Sequence, residues 1–177
     1  MGSEMCIRDS LYIGSRENLF IYDITNDGIP ERLSQTSYQL FFNTCQSDPV
    51  VANDSIAFVT LSSVEIQLGC NDFQLVDELR LYDLTNTSQP VLINSIQMSQ
   101  PKGLGIDNNW LFVCDDGLKV FNVEDPLDVK QIHHFQGINT FDVIVQNGLL
   151  LVVGPENLFQ FDYTVMSEMK MLSSLQL

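Results

Sequence analysis

The sequence predicts an all-β fold made of repeated units of four antiparallel strands, and three observations support this prediction. Short apolar runs alternate with turn residues along the 177 residues, a four-residue pattern of an aromatic residue, Asp or Asn, an apolar residue and a polar residue recurs four times, and apolar residues make up 45% of the chain against 18% charged residues. This composition is typical of a folded globular chain. The runs are short and rich in aromatic and β-branched residues, which favours strands over helices.

The repeat contains two strands that align in four places. The second of these strands carries an aromatic residue, then Asp or Asn, an apolar residue and a polar one, starting at Tyr22, Tyr82, Phe121 and Phe161. An apolar strand precedes each of them, around Tyr12, Phe58, Phe112 and Leu151. The repeat spans about 40 residues, with an insertion between the first two copies, and this period with short strands is typical of the blades of a β-propeller.

Turn residues set the predicted strand boundaries. The best-defined blade has strands at 103–107, 109–114, 118–123 and 129–135, and the last blade has strands at 141–146, 149–153, 158–163 and 170–175. We therefore predict one repeat domain over 10–177, with blades at about 10–36, 49–98, 102–136 and 139–177. The segment before Leu11 is too short and polar for an inner strand. The expected result is an open partial propeller with about three complete blades and a partial one.

Residues 1–9 break the repeat. The string from Met5 to Ser10 looks like the translated adapter sequence that sometimes opens metagenomic gene fragments. We interpret residues 1–9 as a non-native leader. They contain no apolar stretch of the kind that is typical of a signal peptide.

Two blocks of the third and fourth blades carry a family resemblance. They are Leu104–Asp115 with Gly117–Asn122, and Asn139–Ile144 with Val153, Gly154 and the segment Phe159–Tyr163. In these blocks the chain resembles the LVIVD-repeat β-propeller family of bacterial cell-surface proteins. The resemblance covers nearly everything after Ser10. It implies an exported, often lipid-anchored propeller without an agreed activity, of which this chain would be the C-terminal part.

The charge balance narrows the range of partners. Eight Lys and Arg residues stand against 23 Asp and Glu residues, which gives a net charge of −15. Nucleic acids and anionic membrane surfaces are bound by clustered cations, so neither is an expected partner. The longest apolar window, from Ile144 to Pro155, is too short to cross a bilayer, and no membrane insertion of this segment is expected.

The cysteines suggest one disulfide. Cys45 lies in the loop 38–48 and Cys70 in the insertion 61–76, and blade connectivity brings these two segments to the same face. In an oxidising compartment we expect Cys45 to be bonded to Cys70, and the alternative is two unrelated thiols. Cys114 lies within an apolar strand and is predicted to be a buried small hydrophobic residue.

No catalytic or metal-binding pattern stands out. His133 and His134 are adjacent on a predicted outer strand and point to opposite faces, so we predict a solvent-exposed strand there and neither catalysis nor zinc binding. Asp23, Asp83 and Asp162 are expected to bond turn backbone. We predict no enzyme activity, no cofactor and no metal site. The alternative is a calcium site formed by loop carboxylates. The candidate ligands are Asp48, Asp72, Asp77, Glu78, Asp115, Asp116 and Asp142.

The loops of this same face supply the candidate binding residues. These are Tyr38, Phe41, Phe42, Phe73, Asp115 and Asp116. Exposed aromatic residues at loop tips form interaction surfaces, and the alternative is that the aromatic residues pack as a small satellite core over the blade edge.

The expected function is that of a noncatalytic extracytoplasmic module. It would bind an unknown protein or glycan or serve as a structural surface element, with possible self-association through open sheet edges. The alternative is a fragment of a calcium-dependent propeller hydrolase or lactonase, in which Asp48 and Asp142 would lie near the axial metal.

Overall fold

The computed structural model describes residues 4–7, 9–15, 18–26, 29–38, 46–47, 49–63 and 76–177. Over these ranges the chain forms four antiparallel sheets and one 3₁₀ turn, Met166–Glu168. This confirms the predicted all-β class with blades of four antiparallel strands. In the part of the chain that the structure describes, no helix has the length and apolar character needed to cross a membrane.

The chain divides into two compact units, Met1–Gln100 and Pro101–Leu177. The first unit begins with a sheet of four strands in the order β1-β2-β3-β4. Their bounds are β1 Glu4–Ile7, β2 Ser10–Gly14, β3 Asn18–Asp23 and β4 Glu31–Ser37.

Strand β1 corrects the prediction that the first blade lacks an inner strand. Met5 pairs with Tyr12 and Cys6 pairs with Leu11 in an antiparallel ladder. The segment has no strand signal of its own, but the free edge of β2 offers backbone donors and acceptors that a short extended segment can satisfy.

The second sheet contains an inner edge of two short strands. Its strands are β5 Gln46–Ser47, β6 Val50–Ala52, β7 Ile56–Ser63, β8 Glu78–Asp83 and β9 Val91–Gln97. Both β5 and β6 pair with β7. Tyr12, Leu19 and Ile21 of the first sheet share a buried core with residues of the second sheet, among them Val59 and Leu61.

The second unit contains the two regular blades. The third sheet has β10 Leu104–Asp107, β11 Trp110–Cys114, β12 Leu118–Asn122 and β13 Lys130–Phe135. The fourth sheet has β14 Asp142–Gln146, β15 Leu149–Val153, β16 Asn157–Asp162 and β17 Lys170–Gln176. These bounds agree with the predicted strands to within one residue.

One buried core joins the two sheets of the second unit. Its members are Phe112, Cys114, Leu118 and Val120 of the third sheet with Val143, Leu150, Val152, Phe159 and Phe161 of the fourth, together with Tyr163 and Met169. The hydroxyl of Tyr163 donates a hydrogen bond to Asp107 at 2.8 Å, which ties the end of β10 to the end of β16.

Two glycines let the inner strands β10 and β14 approach closely. A Cβ at Gly103 would collide with the backbone of Asp142, and a Cβ at Gly105 would lie 2.6 Å from a methyl group of Val145. A larger residue at 103 would have to displace the backbone at the start of β14, and one at 105 would have to displace the side chains of Val143 and Val145. The close approach determines where the loops at the start of β10 and β14 meet.

Candidate functional site

The loops at one end of the second unit form the candidate site. We call this region the loop rim and define it as residues 102–103, 115–117 and 136–142. It comprises the segment before β10, the turn between β11 and β12, and the connection from β13 to β14. Lys102 N donates to the carbonyl of Cys114 and Gly103 N donates to the carbonyl of Phe141, both at 2.8 Å, so backbone bonds join the segment before β10 to the end of β11 and to the connection before β14.

The turn between β11 and β12 uses the residues that the sequence predicts. Asp116 and Gly117 have φ values of 48° and 101°, the left-handed region that Asp and Gly tolerate best. The backbone N–H of Asp115 donates to the carbonyl of Gly117 at 3.0 Å. Because the turn is tight, the side chains of Asp115 and Asp116 lie in different surroundings.

Asp115 lies inside the protein. Its carboxylate is fully buried and accepts a hydrogen bond from Lys119 Nζ at 2.6 Å, and the Lys119 side chain is itself only 14% exposed. A buried carboxylate requires such a partner, because an isolated buried charge is very costly. Asp115 was predicted to contact a ligand, but this burial makes it a structural ion-pair member within the rim.

Asp116 is on the surface. Its carbonyl accepts a hydrogen bond from His134 Nε2 at 2.8 Å, and its carboxylate accepts one from Gln136 Nε2 at 3.3 Å. These contacts fix the turn, and the side chain is exposed to solvent. Of the two predicted acidic residues, Asp116 is therefore the one that a ligand can reach.

The connection before β14 presents an aromatic side chain beside this turn. Thr140 is buried and its hydroxyl donates to the carbonyl of Gly117 at 2.5 Å, which holds the two loops together. The next residue, Phe141, is 45% exposed, and Lys102 Nζ lies 4.6 Å from the centre of its ring. This cation–π contact restrains the ring on the surface. Asp142 follows, also exposed.

Cys114 lies directly beneath the rim and is not a nucleophile. Its side chain is fully buried, and burial raises the pKa of its thiol to about 12. A reactive cysteine needs a lowered pKa and access to solvent, and Cys114 has neither. The prediction of a buried small hydrophobic residue is confirmed.

The two histidines have separate partners. His133 Nε2 donates to the carbonyl of Met166 at 2.7 Å, whereas His134 Nε2 donates to the carbonyl of Asp116. Both side chains are partly buried, more so than the predicted solvent-exposed strand implies. Among the described residues, no group of three or more His, Cys, Asp or Glu side chains is arranged to hold a metal ion.

Tyr38, a predicted binding residue in the first unit, is buried. It is 2% exposed, its ring lies 6.4 Å from that of Tyr82, and its carbonyl accepts a hydrogen bond from Arg80 Nη1 at 2.6 Å. Arg80 is held in turn by Glu78 at 2.8 Å. Tyr38 therefore fits the alternative of a satellite core.

The remaining predicted residues of this region lie outside the described residues. They are Phe41, Phe42, Phe73, Asp48, Asp72, and the cysteines Cys45 and Cys70 of the expected disulfide.

The structure adds three residues to the site that the sequence did not single out. Lys102, Thr140 and Phe141 meet only through the contacts between the third and fourth sheets. Phe141 was predicted to be the first residue of an inner strand, but β14 begins one residue later and leaves its side chain on the surface. The sequence offers one weak signal for this contact, a glycine before the inner strand β10 and an aromatic residue before the inner strand β14.

Comparison with known proteins identifies the architecture. No protein-family model matches the chain, and no curated protein matches its sequence. Solved structures do match it. A protein from Lactobacillus plantarum aligns with 97% of this chain at 13% identity and a TM-score of 0.72. AztD from Citrobacter koseri aligns with 96% at 11% identity and a TM-score of 0.60, and the WD40 domain of fission yeast SCAP with 96% at 14% identity and a TM-score of 0.53.

The fold is β-propeller-like. At these identities the similarity shows the fold alone, and it does not confirm the LVIVD-repeat family. The chain spans 53% of the Lactobacillus plantarum protein, 46% of AztD and 42% of the SCAP domain structure.

Proposed function

We propose that the chain is a noncatalytic β-propeller module that binds a protein partner through the loop rim. The observation that carries this proposal is the exposed ring of Phe141, held by Lys102, with the exposed Asp142 next in sequence and the exposed Asp116 in the turn that Thr140 bonds. An aromatic side chain restrained before binding loses little conformational entropy on contact, which is why such residues act as anchors in interfaces.

The charge around the anchor indicates the chemistry of the partner. Asp142 is exposed and follows Phe141 in the sequence, and Asp116 is exposed in the turn after β11. The chain as a whole carries a net charge of −15. Such a field attracts a partner with Lys or Arg side chains and speeds its association at low salt. We infer a basic, exposed segment of another protein as the ligand.

The internal contacts of the reactive groups favour binding over catalysis. Cys114 is buried with a raised pKa, Asp115 is paired with Lys119, and His134 is engaged with the backbone of the rim. General acid–base or nucleophilic catalysis requires such groups to reach a substrate. These contacts instead give the loops a fixed shape, which suits recognition.

The proposed location is outside the cytoplasm, at the cell surface. The support is the resemblance of the repeat to the LVIVD proteins, and in such an oxidising compartment we expect a Cys45–Cys70 disulfide. Mass spectrometry of peptides from the unreduced protein purified from its native host tests both. A Cys45–Cys70 cross-linked peptide is expected, and free thiols at both residues would contradict the proposed location.

A selection experiment tests the binding function. The probe is a library of random peptides of about 12 residues displayed on phage, panned against the full chain at low ionic strength. We expect enriched peptides to carry several Lys or Arg residues beside an apolar one, and their binding to weaken as salt is raised. An absence of enriched peptides, or peptides without basic residues whose binding ignores salt, would overturn the proposal.

A further inference from the structure

The strand register makes positions in the third and fourth sheets equivalent. Phe112 in β11 pairs with Gly105 on one side and Val120 on the other. Leu151 in β15 pairs in the same way with Ile144 and Gln160. Phe112 and Leu151 therefore occupy the same place in their blades.

Equivalent positions differ in burial between the two sheets. In the third sheet, Phe112, Cys114 and Leu118 are fully buried against the fourth sheet. Their equivalents in the fourth sheet are Leu151, Val153 and Leu158, which are apolar but only partly buried. Beside them, Ile144 and Leu175 are 55% and 59% exposed.

We call these five residues of the fourth sheet the outer face. Ile144 pairs with Leu151, Val153 pairs with Leu158 and Leu158 pairs with Leu175, so all five lie on one side of the sheet. That side is opposite the one that carries Leu150 and Val152 into the core. The outer face is thus a contiguous apolar surface of the kind that marks an interaction site.

The first sheet carries a surface that matches it. When the fourth sheet packs on the third, it uses Leu150 paired with Phe161 and Val152 paired with Phe159. The first sheet repeats this arrangement in the same register, with Leu11 paired with Tyr22 and Ile13 paired with Phe20.

These four residues of the first sheet form what we call the receiving face. All four are partly buried, and they alternate with Tyr12, Leu19 and Ile21, which point into the core. The rings of Phe20 and Tyr22 lie 6.5 Å apart. An aliphatic pair opposite an aromatic pair is the surface that the fourth sheet presents to the third, and the first sheet carries the same arrangement.

We propose that the outer face of one copy of this chain packs against the receiving face of a second copy. Within one copy, the fourth sheet packs on the third. In the proposed contact, the first sheet of the second copy packs on the fourth sheet of the first copy in the same way. The chain itself therefore carries both halves of the interface, which makes the contact heterologous. Burial of apolar surface drives it, as in the core of the second unit.

Electrostatics oppose this association. Each copy carries a net charge of −15, so two copies repel each other at low ionic strength. Added salt screens the repulsion and does not weaken apolar contacts, so association is expected to strengthen with salt. The binding of a basic partner at the loop rim has the opposite salt dependence, which separates the two activities.

Sedimentation of the full chain under reducing conditions over a range of concentrations tests the proposal. We expect concentration-dependent association of the unaltered protein. Leu151→Lys on the outer face and Phe20→Lys on the receiving face are each expected to lower the association constant by about 10-fold or more. Leu127→Lys is the matched control, because Leu127 is 71% exposed and belongs to neither face. Circular dichroism verifies that each variant folds.

A mixing experiment fixes the orientation of the contact. The Leu151→Lys variant keeps an intact receiving face and the Phe20→Lys variant keeps an intact outer face. An equimolar mixture of the two is therefore expected to associate more strongly than either alone. If association survives Phe20→Lys, two outer faces are in contact with each other. If association survives both variants, the copies pair through their sheet edges. If the unaltered chain stays monomeric, the contact does not form. Each of these three results overturns the proposal.

Discussion

Individual aspartates show what the sequence predicts well at the scale of single residues. Asp23, Asp83 and Asp162 were expected to bond turn backbone, and each carboxylate accepts the N–H of the residue two positions later, at 2.7, 2.7 and 3.0 Å. The hydrogen bonds from Thr25 hold the pKa of Asp23 below its ordinary value. These contacts are local, so the recurring aromatic-Asp pattern is sufficient to predict them.

Asp115 and Phe141 show the opposite case. Asp115 is buried although the neighbouring Asp116 is exposed, and Phe141 is exposed although the preceding Thr140 is buried. Their environments depend on Lys119 and Lys102, whose side chains reach them only after the strands have paired. A single sequence carries no signal for such contacts, which explains why one was placed at the surface and the other in a strand.

The buried ion pair gives the first prediction. Asp115→Ala leaves Lys119 charged and largely buried, and we expect a loss of about 3–5 kcal/mol in the free energy of unfolding. The control is Asp128→Ala, because Asp128 pairs with Lys130 at 2.8 Å on the surface, with both side chains more than 60% exposed. That change is expected to cost at most about 1 kcal/mol. Urea unfolding measures both, and equal losses would contradict the structural role of Asp115.

The buried thiol gives a prediction about pH. The pKa of Cys114 rises from 9.0 to about 12 in the folded protein. As pH rises between these values, the unfolded chain releases this proton and the folded chain keeps it, so the free energy of unfolding falls. The contribution is complete below pH 9.0 and is lost as pH approaches 12. Cys114→Ala is expected to flatten this fall in urea unfolding at alkaline pH, and parallel curves for the two proteins would contradict it.

At the scale of elements, the regular strands follow from the sequence and the irregular ones do not. The predicted strand 149–153 is observed as Leu149–Val153, because the short apolar run and the Asn147-Gly148 turn before it agree. Strand β1 was missed because its pairing with β2 depends on an open sheet edge and not on its own composition. The division of an inner strand into β5 and β6 was missed for the same reason.

The turn between β11 and β12 supplies the prediction at this scale. Gly117 has a φ of 101°, and an added Cβ there would collide with the carbonyl oxygen of Phe135. We expect Gly117→Ala to cost about 3 kcal/mol, from backbone strain and the collision together. Gly137 has a φ of 78° with no atom within 4 Å of an added Cβ, so Gly137→Ala is expected to cost about 1 kcal/mol. Thermal unfolding compares them, and similar losses would exclude the close approach of β13.

For the whole molecule, the repeat predicts the propeller-like architecture because each blade reproduces the same pairing. Composition predicts the acidic surface in the same direct way. The proposed binding surface was not predicted in full, since Lys102 and Phe141 meet only where two blades come together. Architecture that repeats is therefore visible in the sequence, and a site made by neighbouring blades is not.

Calcium separates the proposed binding module from the alternative of a calcium-dependent hydrolase. A specific axial ion would stabilise the folded state in proportion to the logarithm of its concentration, by about 2.7 kcal/mol at 100 times its dissociation constant. We expect calcium to change the melting temperature no more than magnesium does. A rise with calcium alone, measured by calorimetry on the full chain, would favour the hydrolase.

The most direct test of the binding module is the affinity of one selected basic peptide for three proteins, measured by titration calorimetry. They are the unaltered chain, Phe141→Ala and the control Leu127→Ala. Because we propose the restrained ring of Phe141 as the anchor of the loop rim, its removal is expected to weaken binding by about 10-fold or more, while the control binds like the unaltered chain. Equal affinities for all three proteins would show that the peptide binds elsewhere and would contradict the loop rim as the binding site.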